Sequence, residues 1–345
     1  MILKNRPKYI YTAPSTLNSV CTQAARFSPT PIIYLALYVV IGLFLFTLIF
    51  LPFNYYIEFL LEKKYELSNQ TLKSWFVDTF KGFSLELILS VIIIEIIYIT
   101  LSLAPNNWWW IAGGILIFFS VVMAKIGPLI IPLFYKQEPL LEAKITDKLS
   151  SLAARLNIKI IGIFRINMKA KTKKALGGLT GIGLTRRIIL SDTLVENYTP
   201  DEIESVIAHE LGHHYYRHIF KNILSSSALI IISLYIMNFV LQGSLELFNL
   251  QGISDIAGLP LFMIFSSFFL LLTAPLMNFI SRKLEFQADE FSFTITNNKK
   301  AFVSMLQKIS KQNLGDPDPH PLVEFLFHSH PSVKKRIKFA EEFIL

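Results

Sequence analysis

Five apolar stretches, each close to the roughly 20 residues a helix needs to cross a bilayer, constrain this chain more than anything else in it. They occupy residues 32–52, 85–103, 108–133, 222–242 and 256–280. A soluble core cannot absorb so many. With 52% hydrophobic residues, 29 Phe in 345 and a mean hydropathy of +0.48, the chain reads as an integral, multi-pass membrane protein. The first run follows 31 mixed residues without a small-residue cleavage site, so it is expected to be a retained span rather than a signal peptide. Trp108, Trp109 and Trp110 open the third run and fit an interfacial aromatic belt. The single cysteine, Cys21, excludes an internal disulfide.

Basic residues orient these spans. Of 33 Lys plus Arg, 14 lie between residues 135 and 221 and 10 between 281 and 345, whereas the connectors 105–107 and 244–255 have none. The positive-inside rule puts the basic segments in the cytoplasm and the two connectors outside. Five spans then leave the N-terminus outside, a mildly unfavourable place for Lys4, Arg6, Lys8 and Arg26. Topology accounts for the net charge of +8, so no nucleic-acid partner is implied; the partners expected are the bilayer and a peptide or membrane-protein substrate.

Just ahead of the fourth run stands His209-Glu210-Leu211-Gly212-His213-His214. On a helix, positions i and i+4 share a face, so His209 and His213 can offer imidazole nitrogens to one zinc ion, while Glu210 can act as general base toward water at the metal. A third ligand is required. The HExxHxxGxxH route fails, because the chain has Tyr216 and Ile219 where Gly and His would stand. A carboxylate on a second helix is the other route, and Glu285-Phe286-Gln287-Ala288-Asp289 supplies it: Glu285 as ligand, Asp289 orienting a histidine ligand or donating near the water. Two crossings separate the motifs, so His213 and Glu285 return to one face of the membrane, as a shared ion demands. His214 and His218 read as surface or interfacial residues. Glu95 and Lys125, inside apolar runs, read either as facing a cavity or partner or as lying nearer an interface than the run boundaries suggest.

The cytosolic part is expected in two pieces. In the first, 141–156 has helical spacing, 158–166 alternates like a strand, and 179–190 is a second strand candidate. The basic stretch 169–174 (KAKTKK) reads as a solvated loop facing lipid headgroups. Thr199-Pro200-Asp201-Glu202 predicts a helix start, with Thr199 as N-cap and Glu202 at N3. In the second piece, 284–296 and 301–312 read as helices, 313–321 as a loop and 332–343 as a last helix. The expected domains are thus a tail (1–31), three spans with a cytosolic connector (32–134), a first catalytic part (135–221), a transmembrane hairpin (222–280) and a second catalytic part (281–345). The fold class is mainly α: about five transmembrane helices with a small α+β zincin-like domain split by a hairpin.

Taken together, these motifs resemble the integral-membrane zinc metalloproteases of the type I CAAX prenyl protease family and their bacterial relatives. HELGH is similar to its zinc helix and EFQAD to its ExxAD helix. Ser329-His330-Pro331-Ser332-Val333-Lys334-Lys335-Arg336-Ile337 is similar to its HPxxxxRI motif. The stretches 179–194 and 66–71 resemble the strand before the zinc helix and the first cytosolic connector. The resemblance implies a zinc endopeptidase at the cytosolic mouth of a membrane chamber, with one zinc per chain on His209, His213 and Glu285. Glu210 would be the base, Asp289 a supporting acid, and His330 and Arg336 would hold substrate or stabilise the oxyanion. The strand 180–190 would receive substrate along its edge. Lys174-Ala175 stands where family members often have Asn-Ala, and five spans are fewer than the seven of eukaryotic prenyl-protein proteases. The alternative reading is a quality-control protease of the HtpX kind. A non-catalytic zinc scaffold would have no use for Glu210.

Overall fold

The structure, a computed structural model, describes residues 31–181 and 183–344. In chain order, α1 (Pro31–Asn54) runs on through a π-helical segment to Lys64 and is followed by α2 (Leu72–Leu103) and α3 (Trp108–Phe134). Then come β1 (Gln137–Pro139), α4 (Ala143–Arg155), β2 (Ile163–Ile166), β3 (Gly177–Thr180), β4 (Arg187–Ser191), α5 (Asp192–Asn197) and α6 (Pro200–Tyr215). The rest is helical: α7 (His218–Leu247), α8 (Leu259–Thr296), α9 (Lys299–Gln312), α10 (Pro321–Phe327) and α11 (Val333–Glu342). Among the described residues, five helices are long and apolar enough to cross a membrane.

The chain divides into two compact units. The first takes residues up to 56 together with 76–119 and 226–272. Its core joins Leu35, Tyr38, Leu101, Ala112, Met237 and Leu241. Trp108 belongs to this core and not to an interfacial belt: it is fully buried, and its indole N–H donates to Asn238 Oδ1 at 2.8 Å. Only Trp110 of the tryptophan run is largely exposed, at 53%. Burying an indole without a partner would strand its donor, and Asn238, 130 residues away, supplies what the local sequence could not reveal.

The second unit comprises 57–75, 120–225 and 273–344 and carries the sheet, in the order β1-β2-β4-β3. β4 runs parallel to β2 and antiparallel to β3. The alternating stretch 158–166 yields a strand only from Ile163, because Asn157, at φ +54°, ends α4 and the chain turns before pairing. The expected strand 179–190 is in fact a hairpin. Gly181 sits at φ +85°, where an added Cβ would lie 2.4 Å from the Thr185 carbonyl oxygen, so the chain reverses there. β3 is an edge strand, whereas β4 is paired on both sides.

One further expectation changes. Residues 284–296 are not a separate helix: α8 continues unbroken from the apolar run through EFQAD for 38 residues, since nothing between 280 and 284 interrupts helical hydrogen bonding. The basic stretch 169–174 is a partly exposed loop that is tied to the connector 66–71. Ser68 and Thr172 form a β-bridge, and Asn69 N–H donates to Lys171 O and Lys173 N–H to Leu67 O. Lys174 Nζ reaches Glu62 Oε1 at 2.8 Å, so the connector and the basic stretch are tied together.

Candidate metal centre

α6 begins where the sequence says it should. Thr199 accepts from Glu202 N–H, Glu202 reaches back to Thr199 N–H at 2.8 Å, and Pro200 occupies the first turn. Such a cap contributes about 1 kcal/mol and fixes the register of the helix that carries His209 and His213. α6 packs on the sheet closely enough that a Cβ on Gly177 of β3 would meet Leu194 and Val206 at 2.9 Å.

Two small residues then let α8 approach α6. A Cβ on Gly212 would lie 3.1 Å from Phe291 and 3.2 Å from the Ala288 Cα. One helical turn further along α8, Ser292 Oγ donates to the Ser205 carbonyl oxygen at 2.7 Å. This crossing delivers Glu285 to the histidines. His209 Nε2 and His213 Nε2 are 3.1 Å apart, His209 Nε2 lies 3.2 Å from Glu285 Oε2, and His213 Nε2 lies 3.3 Å from Glu285 Oε1. The three residues are the one group among those described whose donor atoms could jointly hold a metal ion. Glu285 is 5% exposed, and its Oε2 is buried without a hydrogen bond. An ionised oxygen stranded in this way is costly unless a cation satisfies it.

Behind the cluster stands Asp289, fully buried, with Oδ1 2.9 Å from His209 Nδ1. Burial pushes the His209 imidazole down, but the carboxylates of Asp289 and Glu285 outweigh it and lift its pKa to about 9. A cation binding here therefore displaces a proton. Arg336 of α11 grips Asp289 at two points, Nε to Oδ2 at 2.8 Å and Nη2 to Oδ1 at 2.5 Å. Burial works against the guanidinium, and Asp289 more than compensates. Arg336 is thus bonded to the acid behind the His209 ring. Glu210 is half-buried, and its charge acts on Arg336.

His330 also lies beside the cluster. Its Nε2 is 3.4 Å from Glu285 Oε1 and its side chain is 62% exposed. The segment leading to it is held to α8: Asn278 donates to Leu326 O at 2.8 Å, and Arg282 Nη1 donates to Glu324 O and His328 O at 3.0 and 2.7 Å. His320 lies elsewhere, capping α10 through Leu322 N–H. The residue that sequence reasoning misplaced is His218. It is 1% exposed, with Nδ1 2.9 Å from His213 Nδ1 and Nε2 3.1 Å from Gln287 Oε1. Gln287 sits inside EFQAD, the only hint the motif offered.

Two family models match the chain. A family model described as CAAX prenyl protease N-terminal, five membrane helices, matches residues 9–136, and one for peptidase family M48 matches residues 139–344. The described part of the first match holds three long apolar helices. CAAX prenyl protease 1 of Saccharomyces cerevisiae is 29% identical over 355 residues, covering 96% of this chain and 77% of its own. The probable CAAX prenyl protease 1 of Schizosaccharomyces pombe is 28% identical, with 93% and 69% covered. A Bacillus subtilis protein, the uncharacterized metalloprotease YhfN, is 29% identical, with 86% and 70% covered. The crystal structure of S. mikatae Ste24p shares the fold at TM-score 0.86 and 23% identity, over 94% of this chain and 81% of that one. The M48 match takes in β2, β3 and β4, both helices of the candidate metal centre and the C-terminal helices, and the chain belongs to peptidase family M48 as a multi-pass membrane metalloprotease.

Proposed function

We propose that the chain is a zinc endopeptidase that cleaves lipid-modified, prenylated peptides at the cytosolic face of its membrane. The observation that supports the zinc assignment is the close set of donors: the two Nε2 atoms of His209 and His213 lie 3.1 Å apart, and each has a different Glu285 oxygen at 3.2 or 3.3 Å. Zinc–nitrogen bonds of about 2.0–2.1 Å at tetrahedral angles put neighbouring ligand atoms about 3.3 Å apart. Three protein ligands leave a fourth position open, which suits a catalytic rather than a structural site.

Zinc held there would polarise a scissile carbonyl and acidify water. The chain's own residues supply the remainder. Glu210, one position after the first ligand, takes the proton from the attacking water and returns it to the leaving nitrogen. Asp289, gripped by Arg336, fixes the His209 ring and strengthens it as a donor. Arg336 therefore acts through Asp289 rather than on substrate. His330 would donate to the developing oxyanion, a role supported by its being close to Glu285 yet exposed. Substrate pairs with the open edge of β3, since β4 already has a neighbour on each side. The clustering of basic residues on the segments that build the site supports a cytoplasmic position. Prenyl specificity is carried over from the names of the yeast relatives.

Purified protein reconstituted in vesicles tests this reading. Wild type and Glu210→Ala should each contain one zinc per chain, but only wild type should cleave a farnesylated C-terminal peptide, and it should prefer it to the same peptide without lipid. Cleavage by Glu210→Ala would remove Glu210 from the mechanism. Equal cleavage of unlipidated membrane segments would favour a quality-control role.

A further inference from the structure

We propose that His218 and Gln287 form a neutral hydrogen-bond relay that fixes the tautomer and ring orientation of His213 and so sets how tightly the metal is held. The proposal rests on the zinc reading above. His213 presents Nε2 to the other ligands, 3.1 Å from His209 Nε2 and 3.3 Å from Glu285 Oε1. A neutral imidazole that gives one nitrogen to a metal carries its hydrogen on the other. That hydrogen lies on Nδ1, and the atom 2.9 Å from it is Nδ1 of His218. His218 must accept there, which places its own hydrogen on Nε2, facing Gln287 Oε1 at 3.1 Å. The two bonds determine each other, and the chain ends on an amide without any group needing to be charged.

The surroundings favour a dedicated role. His218 is 1% exposed, and its ring stacks on Tyr216 at 5.7 Å. It lies beyond a helix break, since Arg217 is at φ +55° between α6 and α7. Its partner Gln287 follows the ligand Glu285 by two residues on α8. The relay therefore joins three helices at one metal ligand. The two histidine ligands have unlike supports: His209 faces a carboxylate clamped by arginine, whereas His213 faces a neutral imidazole and amide. Asp289 raises the basicity of one ligand, and His218 fixes the geometry of the other while adding no charge.

Zinc affinity, measured by chelator competition on the full-length protein in detergent, tests the relay without reference to turnover. His218→Phe keeps a planar ring against Tyr216 but removes the acceptor, and should weaken zinc about 10–100-fold, the usual effect of losing an outer partner of a ligand. His218→Asn puts an amide oxygen near the lost nitrogen and should recover most of the affinity. Gln287→Leu breaks only the outer link and should fall between wild type and His218→Phe. Cobalt-substituted His218→Phe should show an altered visible spectrum, while melting of the metal-free variants stays near that of wild type. Wild-type affinity in His218→Phe, or equal weakening in His218→Asn, would overturn the relay. If His218→Phe fails to fold, Gln287→Leu decides: unchanged affinity overturns the proposal, and weakened affinity upholds it. Wild-type protein that takes up no zinc would instead defeat the zinc reading itself.

Discussion

Asp289 stands between Arg336 and His209: the guanidinium holds both carboxylate oxygens on one side, and Oδ1 lies 2.9 Å from His209 Nδ1 on the other. Two residues 47 positions apart thus form one support for the His209 ring. Because both partners are nearly inaccessible, with side chains 12% and 0% exposed, breaking the pair should cost far more than breaking a surface bridge. Arg336→Ala leaves Asp289 as an uncompensated buried charge and should destabilise the protein by about 3–5 kcal/mol. Arg336→Lys keeps the charge but loses the two-point grip, so it should fold while binding zinc more weakly. Thermal melts and chelator competition read the two effects, and a Lys variant with wild-type zinc affinity would show that the fork is dispensable.

Gly212 faces α8 with no room for a side chain, so Gly212→Ala tests whether that approach builds the site. A methyl there would be 3.1 Å from Phe291 and 3.2 Å from the Ala288 backbone, and backbone cannot step aside as a flexible side chain would. Overpacking of this kind costs about 1–3 kcal/mol. The displacement should also widen the gap between Glu285 and the two histidines. Zinc content and activity should fall together, whereas a variant melting 1–3 kcal/mol lower with unchanged zinc affinity would show that the ligands do not depend on the crossing.

How much of this could be read from the sequence depended on how local each feature was. His209 and His213 are one helical turn apart, and Thr199-Pro200-Asp201-Glu202 announces its own capping box, so a helical period suffices for both. Glu285 followed from the need for a third ligand and from the even number of crossings. His218 escaped because the break at Arg217 ends the period that runs through 209 and 213. Trp108 escaped because what makes it a core residue is Asn238 on another helix. The β3–β4 hairpin was hidden by a run rich in strand formers, interrupted at Gly181 by a turn that only a residue at positive φ permits. The pairing of Arg336 with Asp289 escaped because the two lie on different helices, 47 positions apart.

Glu202 should give the fold an acid-sensitive component. It accepts from Ser304 at 2.6 Å and from Lys308 at 2.8 Å, besides closing the cap of α6. Burial pushes its carboxyl up, but the bonds from Lys308 and Ser304 outweigh this and hold it below its ordinary value of 4.5. A depressed folded-state pKa contributes stability that is fully present above 4.5 and is lost as pH falls through the folded value. Glu202→Gln keeps an acceptor at N3 of the box but removes the charge. The variant should melt below wild type at neutral pH, and the gap should close as pH falls below about 4.5. Melts in detergent from pH 7 to pH 3 check this, and a gap that stays constant would assign Glu202 no charge-dependent role.

The hairpin of α7 and α8 should cross the membrane twice, with the metal centre on the cytoplasmic side. The connector between these helices has no Lys or Arg from 244 to 255, whereas the segments that build the site hold 24 of the 33, as 14 and 10. Two exposed positions report on the two sides: Gln251, in the connector, and Gly315, in the turn after α9, where a Cβ meets nothing nearer than 3.7 Å. In a Cys21→Ser background, Gln251→Cys should react with an impermeant maleimide added to intact cells. Gly315→Cys should stay protected until the membrane is opened. The opposite pattern would invert the topology and put peptide hydrolysis outside. Equal labelling of both positions would mean that the segment does not cross. The test also bears on the site, because His213 and Glu285 reach one ion from opposite ends of this hairpin, and an odd number of crossings would keep them apart.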